Sequence, residues 1–116
     1  HFLGGVFLAQ YLSKHKDKRV KGVYLVAPPF DNATIDTEDL VNGFSIKKID
    51  LPYPFVRVYF ATDDSIVSPQ HADKYTKFVE DVYLLDNRGH FITKTFPELI
   101  KHIKQDYKKY RKSVRT

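Results

Sequence analysis

The 116-residue sequence contains no cysteine, methionine or tryptophan. Without thiols there is no disulfide framework, no thiolate nucleophile and no cysteine-ligated metal. This composition fits a reducing compartment, and a cytoplasmic location is the expectation. Neither a His-x-x-x-His pattern nor a carboxylate cluster at metal spacing occurs, so no metal or other cofactor is expected. No apolar run approaches the roughly 20 residues that span a bilayer and no signal-peptide pattern is visible, which argues against a membrane partner. Internal repeats, low-complexity segments and interdomain linkers are absent too.

What is present is ordinary for a globular chain: 42% hydrophobic and 28% charged residues, enough for one small domain or half of a larger one. The formal charge of +5 invites a nucleic-acid reading, but its distribution does not. From Lys101 onward seven basic residues face one acid, a local +6, which leaves −1 for residues 1–100. The basic tail lacks an interleaved aromatic platform or a groove-reading motif, so no nucleic-acid partner is expected. Cations are in any case favoured near a helix C-terminus.

Leu3, Val6, Phe7, Gln10 and Tyr11 recur at helical spacing, predicting a helix from about Leu3 to Lys14. "VKGVYLVAP" reads as a strand buried on both faces, stopped by Pro28 and Pro29. Residues 30–53 form a polar excursion with a short helix expected at "DTEDLVNG", and long excursions tend to cover active sites. "FVRVYFA" is a second buried strand; Pro69 opens a helix through Glu80 with Ala72, Tyr75, Phe78 and Val79 on its apolar face. "DVYLLD" is a third strand, and "FPELIKHIKQDYKKY" a last helix with Phe96, Leu99, Ile100, Ile103 and Tyr107 on one stripe.

Such alternation is the pattern of parallel βαβ units, so the expected fold class is α/β with a parallel sheet, three strands and three to four helices. Three strands leave both sheet edges open, and the first helix has no strand before it. One or more strands are therefore expected ahead of His1, making residues 1–116 the C-terminal part of a single domain.

In such sheets functional groups collect just past the carboxyl ends of strands. Three loops fall there: "HFLGG", "ATDDSIVSP" and "NRGHF". An acid in the second and a histidine in the third suit a pair in which the carboxylate orients the imidazole and stabilises its cation. Gly4 and Gly5 also have a structural reading, close packing of helix on strand. His15, His71 and His102 lie on predicted helices or helix ends and are expected at the surface.

These residues resemble a known family. "HFLGG" is similar to the tail of a G-H-S-L-G-G nucleophile elbow, "DDSIVSP" to the loop of a triad acid and "NRGHF" to that of a triad histidine, in the chain order of α/β-hydrolases. "FATDDSIVSPQHADKY" and "GHFITKTFPELIKHI" most resemble the small serine hydrolases related to retinoblastoma-binding protein 9. The resemblance runs from His1 to about Ile103 and implies the C-terminal half of a three-layer α/β-hydrolase domain. It implies Asp64 as the triad acid, with Asp63 as the near alternative, His90 as general base and the Leu3 N–H as one oxyanion donor.

It places the nucleophilic serine at Phe2. A phenyl ring can neither attack a carbonyl nor share a proton with His90, and removing a triad nucleophile costs on the order of 10⁶ in kcat. Ser13, Ser45, Ser65, Ser68 and Ser113 are not at an elbow. A bulky residue there would also strain or relax the turn, at about 1 to 3 kcal/mol. The implied activity is esterase-like hydrolysis of small ester or acyl substrates, nearly abolished in this chain. The alternative is a non-catalytic α/β-hydrolase-like protein that binds a small ligand or a protein partner.

Overall fold

In the computed structural model, which describes residues 1–31, 46 and 48–114, helix α1 spans Leu3–Lys14, the extent set by its apolar periodicity. Gly5, Val6, Ala9 and Leu12 form its buried face. Strand β1 is Gly22–Val26, shorter than the apolar run around it. It stops where Ala27 takes a positive φ of 47° and Pro28 and Pro29 offer no N–H to a ladder. Strand β2 is Phe55–Ala61 and β3 is Asp81–Leu85.

The three strands are parallel in the order β1-β2-β3, with Leu25 opposite Val58 and Tyr59 opposite Tyr83. The α/β class and the parallel sheet are as expected. β1 is not fully buried on both faces, however: Val23 and Leu25 on one face are fully buried, and Gly22, Tyr24 and Val26 on the other are half-buried.

The sheet is covered on both sides. Val23, Leu25, Val58 and Phe60 point into an apolar core with Val6, Ala9 and Leu12 of α1 and with Ala72 and Tyr75 of the second helix, α2, Gln70–Tyr75. Their alternate neighbours Tyr24, Arg57, Tyr59 and Tyr83 face the last helix, α3, Pro97–Val114. Helices therefore sandwich the sheet in three layers. No helix among the described residues is long and apolar enough to cross a membrane.

Three further expectations need correction. The helix α2 ends at Tyr75 rather than Glu80, because the chain must turn within five residues to start β3; Thr76 Oγ1 bonds back to the Asp73 carbonyl at 2.7 Å and Phe78 and Val79 wrap onto the Tyr75 carbonyl. Phe78 is consequently exposed and stacks on Phe30 with ring centroids 6.0 Å apart.

α3 does not bury its apolar stripe. Ile100, Ile103 and Tyr107 are exposed, and its fully buried residue is Asp106, because the sheet face beneath it is lined by Arg57 and tyrosines that need polar partners. Lastly, His71 is completely buried and His102 half-buried between Tyr59 and Tyr83; of the three histidines expected at the surface only His15 is exposed. The helix expected at 36–43 lies outside the described residues.

Candidate active site

The loops at the carboxyl ends of the strands hold the backbone strain of this molecule. All four non-glycine residues with positive φ among those described, Phe2, Ala27, Asn87 and Phe91, lie at this end of the sheet. Such conformations persist only where the surroundings over-determine them, and they cluster at functional sites.

Phe2 precedes α1 with φ 54° and ψ −126°, outside the ordinary conformations of an L-residue. Of the two responses expected from a bulky residue here, the turn remains strained. Its N–H donates to the Val26 carbonyl at 2.9 Å, and its carbonyl accepts from Gly5 N–H at 3.0 Å and Val6 N–H at 3.3 Å, so both sides of the turn are tied down. Gly5 has the packing role proposed for it, since a Cβ there would stand 3.2 Å from Pro28 Cβ, whereas nothing approaches the corresponding point on Gly4. Leu3 is the first residue of α1, so its N–H belongs to the open first turn of the helix.

Asp64 and His90 come together. His90 Nδ1 donates to Asp64 Oδ2 at 2.9 Å, and the other carboxylate oxygen accepts the N–H groups of Ile66 and Val67 at 2.8 and 2.9 Å. These backbone donors come from a turn that reaches the buried Val67, which explains why Asp64 lies inside the protein. The pair is dry: the Asp64 side chain is 0% exposed and that of His90 8%. Asp63 points elsewhere, accepting the Gly89 N–H at 3.1 Å.

Phe2 meets His90 directly. Its ring stands edge-on to the imidazole with centroids 4.9 Å apart, and the His1 ring lies 4.7 Å from His90 on another side. His1 Nε2 donates to the His90 carbonyl at 2.8 Å. Residue 2, His90 and Asp64 thus form a connected row, although 26 residues separate the last two and 88 the first two along the chain.

Sequence reasoning missed the supports around this row. Arg88 pairs with Glu98 of α3; against the effect of burial, a hydrogen bond from its own backbone N–H and then the Arg88 guanidinium hold the Glu98 carboxyl below its usual range. Phe91 stacks on Phe96 at 5.1 Å. On the β1 side, His71 Nδ1 accepts the Phe30 N–H at 2.9 Å, and burial, reinforced by Lys74, keeps this imidazole neutral to lower pH than usual. Lys74 pairs with Asp31 at 2.5 Å. The partners of His71 and Lys74 lie 41 and 43 residues away along the chain, so no local pattern marks them.

Among the described residues no group of three His, Asp or Glu side chains could hold a metal ion. No curated protein and no solved structure gives a significant match to this chain. The family model for serine hydrolases matches residues 1–100, a span that takes in the residue 2 turn, the Asp64 loop and the His90 loop. The chain belongs to the serine hydrolase family.

Proposed function

We propose that this chain carries the acid–base half of a Ser-His-Asp hydrolase site for small ester or acyl substrates, with Phe2 standing where the nucleophile would be. The observation that carries the reading is the 2.9 Å Asp64–His90 hydrogen bond beside a residue 2 held in a strained strand-to-helix turn. In this reading Asp64 fixes the imidazole with Nδ1 protonated and stabilises its cation. The other ring nitrogen of His90 is then free to take a proton from a nucleophile at residue 2 and return it to the leaving group. The Leu3 N–H is one donor to the oxyanion.

Phe2 supplies no hydroxyl, so the acyl-enzyme bond cannot form. The chain as it stands is a hydrolase relative without serine-based turnover. The packing of the Phe2 ring against His90 favours a second reading, a binding protein that retains the family's pocket for an ester or acyl ligand. We place this function in the cytoplasm, in keeping with a cysteine-free sequence.

The test is hydrolysis of a small aryl ester such as p-nitrophenyl acetate by the Phe2 protein, by Phe2→Ser and by Phe2→Ser with His90→Ala. Turnover is expected only in Phe2→Ser and should vanish with His90→Ala. Turnover by the Phe2 protein that survives His90→Ala would overturn the assignment. A Phe2→Ser protein that binds the ester without cleaving it would favour the binding reading.

A further inference from the structure

Strands β2 and β3 pair at a constant offset of 24 residues, from Arg57 opposite Asp81 to Ala61 opposite Leu85. The offset continues one step past the sheet, where Thr62 N–H donates to the Leu85 carbonyl at 2.9 Å and Thr62 Oγ1 donates to Asp86 Oδ1 at 2.8 Å. It then changes. Asp63 meets Gly89 and Asp64 meets His90, both at a separation of 26.

Two residues have been looped out, and the backbone shows where: Asn87 has φ 58° and Gly89 φ 54°, a pair of left-handed conformations on either side of Arg88. At an offset of 24 the partner of Asp64 would be Arg88. The side chain that Asp64 receives is therefore decided at the preceding step, where the Asp63 carboxylate captures the Gly89 N–H.

We infer that Asp63 is a positioning residue, a register lock that brings His90 rather than its neighbours opposite Asp64. The inference rests on the reading of His90 and Asp64 as an acid–base pair. It gives the doubled aspartate a division of labour, one carboxylate for the backbone of the histidine loop and one for the imidazole itself. The other contacts of this loop do not set that register. Arg88–Glu98 and Phe91–Phe96 tie it to α3 and the residue before that helix, the Phe91 N–H closes on the Arg88 carbonyl within the loop, and His1 and Phe2 meet His90 itself, none of these reaching the Asp63–Asp64 loop. Asp63 is exposed, so it can be altered without opening the core.

The readout is the low-field proton resonance of His90 Nδ1–H in NMR spectra of the full 116-residue chain, identified by its loss in Asp64→Asn. Asp63→Asn removes the charge but keeps an oxygen acceptor, and the signal should remain. Asp63→Ala removes both, and the signal should broaden or disappear. In the Phe2→Ser background the same Ala variant should lower kcat by about 10- to 100-fold with little change in KM, as expected for a misaimed base. Should Asp63→Ala fail to fold, Asp63→Glu keeps the charge and displaces the acceptor by a methylene, and must weaken the signal.

An unchanged signal in Ala, or in Glu where Ala does not fold, overturns the inference. So does equal loss in Asn and Ala, which would assign the effect to charge. Absence of the signal in the parent protein would instead sink the Asp64–His90 reading on which the inference stands.

Discussion

The two faces of the sheet are held by different forces. Beneath α1 and α2 the contacts are almost all apolar: Val23, Leu25, Val58 and Phe60 interlock with Ala9, Leu12 and Tyr75, and burial of hydrocarbon provides the stability. Beneath α3 the same strands present Tyr24, Arg57, Tyr59 and Tyr83, and the helix answers with His102 and Asp106. Arg57 grips Asp106 with two bonds, Nε to Oδ2 at 2.8 Å and Nη2 to Oδ1 at 2.6 Å, and Tyr24 donates to Oδ2 at 2.7 Å. Burial pushes the Tyr24 hydroxyl well above its usual range, and the Asp106 hydrogen bond adds to that.

Burial of apolar surface is non-directional, whereas a buried ion pair has one good geometry. That difference matters for the site. α3 carries Glu98, the partner of Arg88 in the histidine loop, and Phe96, the partner of Phe91, immediately precedes it. The polar clamp of α3 on the sheet is thus the far end of the support for His90.

Breaking the polar face should have the largest effect. Asp106→Ala leaves the Arg57 guanidinium buried and unpaired, and we expect a loss of about 3 to 5 kcal/mol in denaturant-unfolding free energy. A loss below 1 kcal/mol would mean that the clamp contributes little. Replacing Arg57 and Asp106 together by apolar residues of similar volume should recover most of the loss while loosening the register of α3.

On the apolar face Leu25→Ala should cost about 2 to 4 kcal/mol by the cavity it leaves, an effect independent of pH between pH 5 and 8. A pH-dependent cost would show that the faces are coupled.

pH itself should separate them further. His71 and His102 both have folded-state values lowered first of all by burial, so each favours the native state when neutral. Their contribution is complete above the ordinary histidine value, roughly 6.5, and is lost as pH falls through the lower folded values. Asp106 is different: burial would raise it, but hydrogen bonds from Arg57 and Tyr24 hold it below the usual carboxylate range. Its contribution persists to lower pH and is lost only as pH falls from about 4 through the folded value. Acid unfolding should therefore show an early histidine-linked decline in both layers and a later one confined to α3. Asp106→Asn should diminish the later decline and leave the share of Glu98, whose carboxyl is also lowered, which hydrogen exchange of α3 amides would detect.

The smallest effect tests burial rather than pairing. Lys16 and Asp50 form an ion pair at 2.9 Å, close to the 2.6 Å of Arg57–Asp106, but their side chains are 41% and 58% exposed. Lys16→Ala should cost less than about 1 kcal/mol, and less still in high salt. A cost comparable with that of Asp106→Ala would refute burial as the reason for the difference.

Much of this was legible in the chain. The extents of α1 and β2 follow from hydrophobic period alone, because local side-chain spacing is what decides which face of an element can be covered. The three strand-end loops that carry Phe2, Asp64 and His90 were legible too, since strand ends mark them. The apolar stripe of α3 misled: Ile100, Ile103 and Tyr107 predicted a buried face, and the helix instead turns Asp106 inward. Its orientation is chosen by Arg57 and Tyr24, 49 and 82 residues away along the sequence, and no local period encodes them. His71 was misplaced for the same reason, its acceptor being matched to an N–H 41 residues away.

The sequence by itself determined the elements, their parallel order and the presence of an acid, a histidine and a phenylalanine at three strand ends, because those follow from local periodicity and residue chemistry. Only the tertiary structure decided which aspartate meets His90, that the turn at Phe2 keeps its strained form, and which side of α3 faces the sheet. Each of those depends on groups brought together from distant parts of the chain, where the cost of leaving a buried polar group unpaired selects one arrangement among several that local preferences allow.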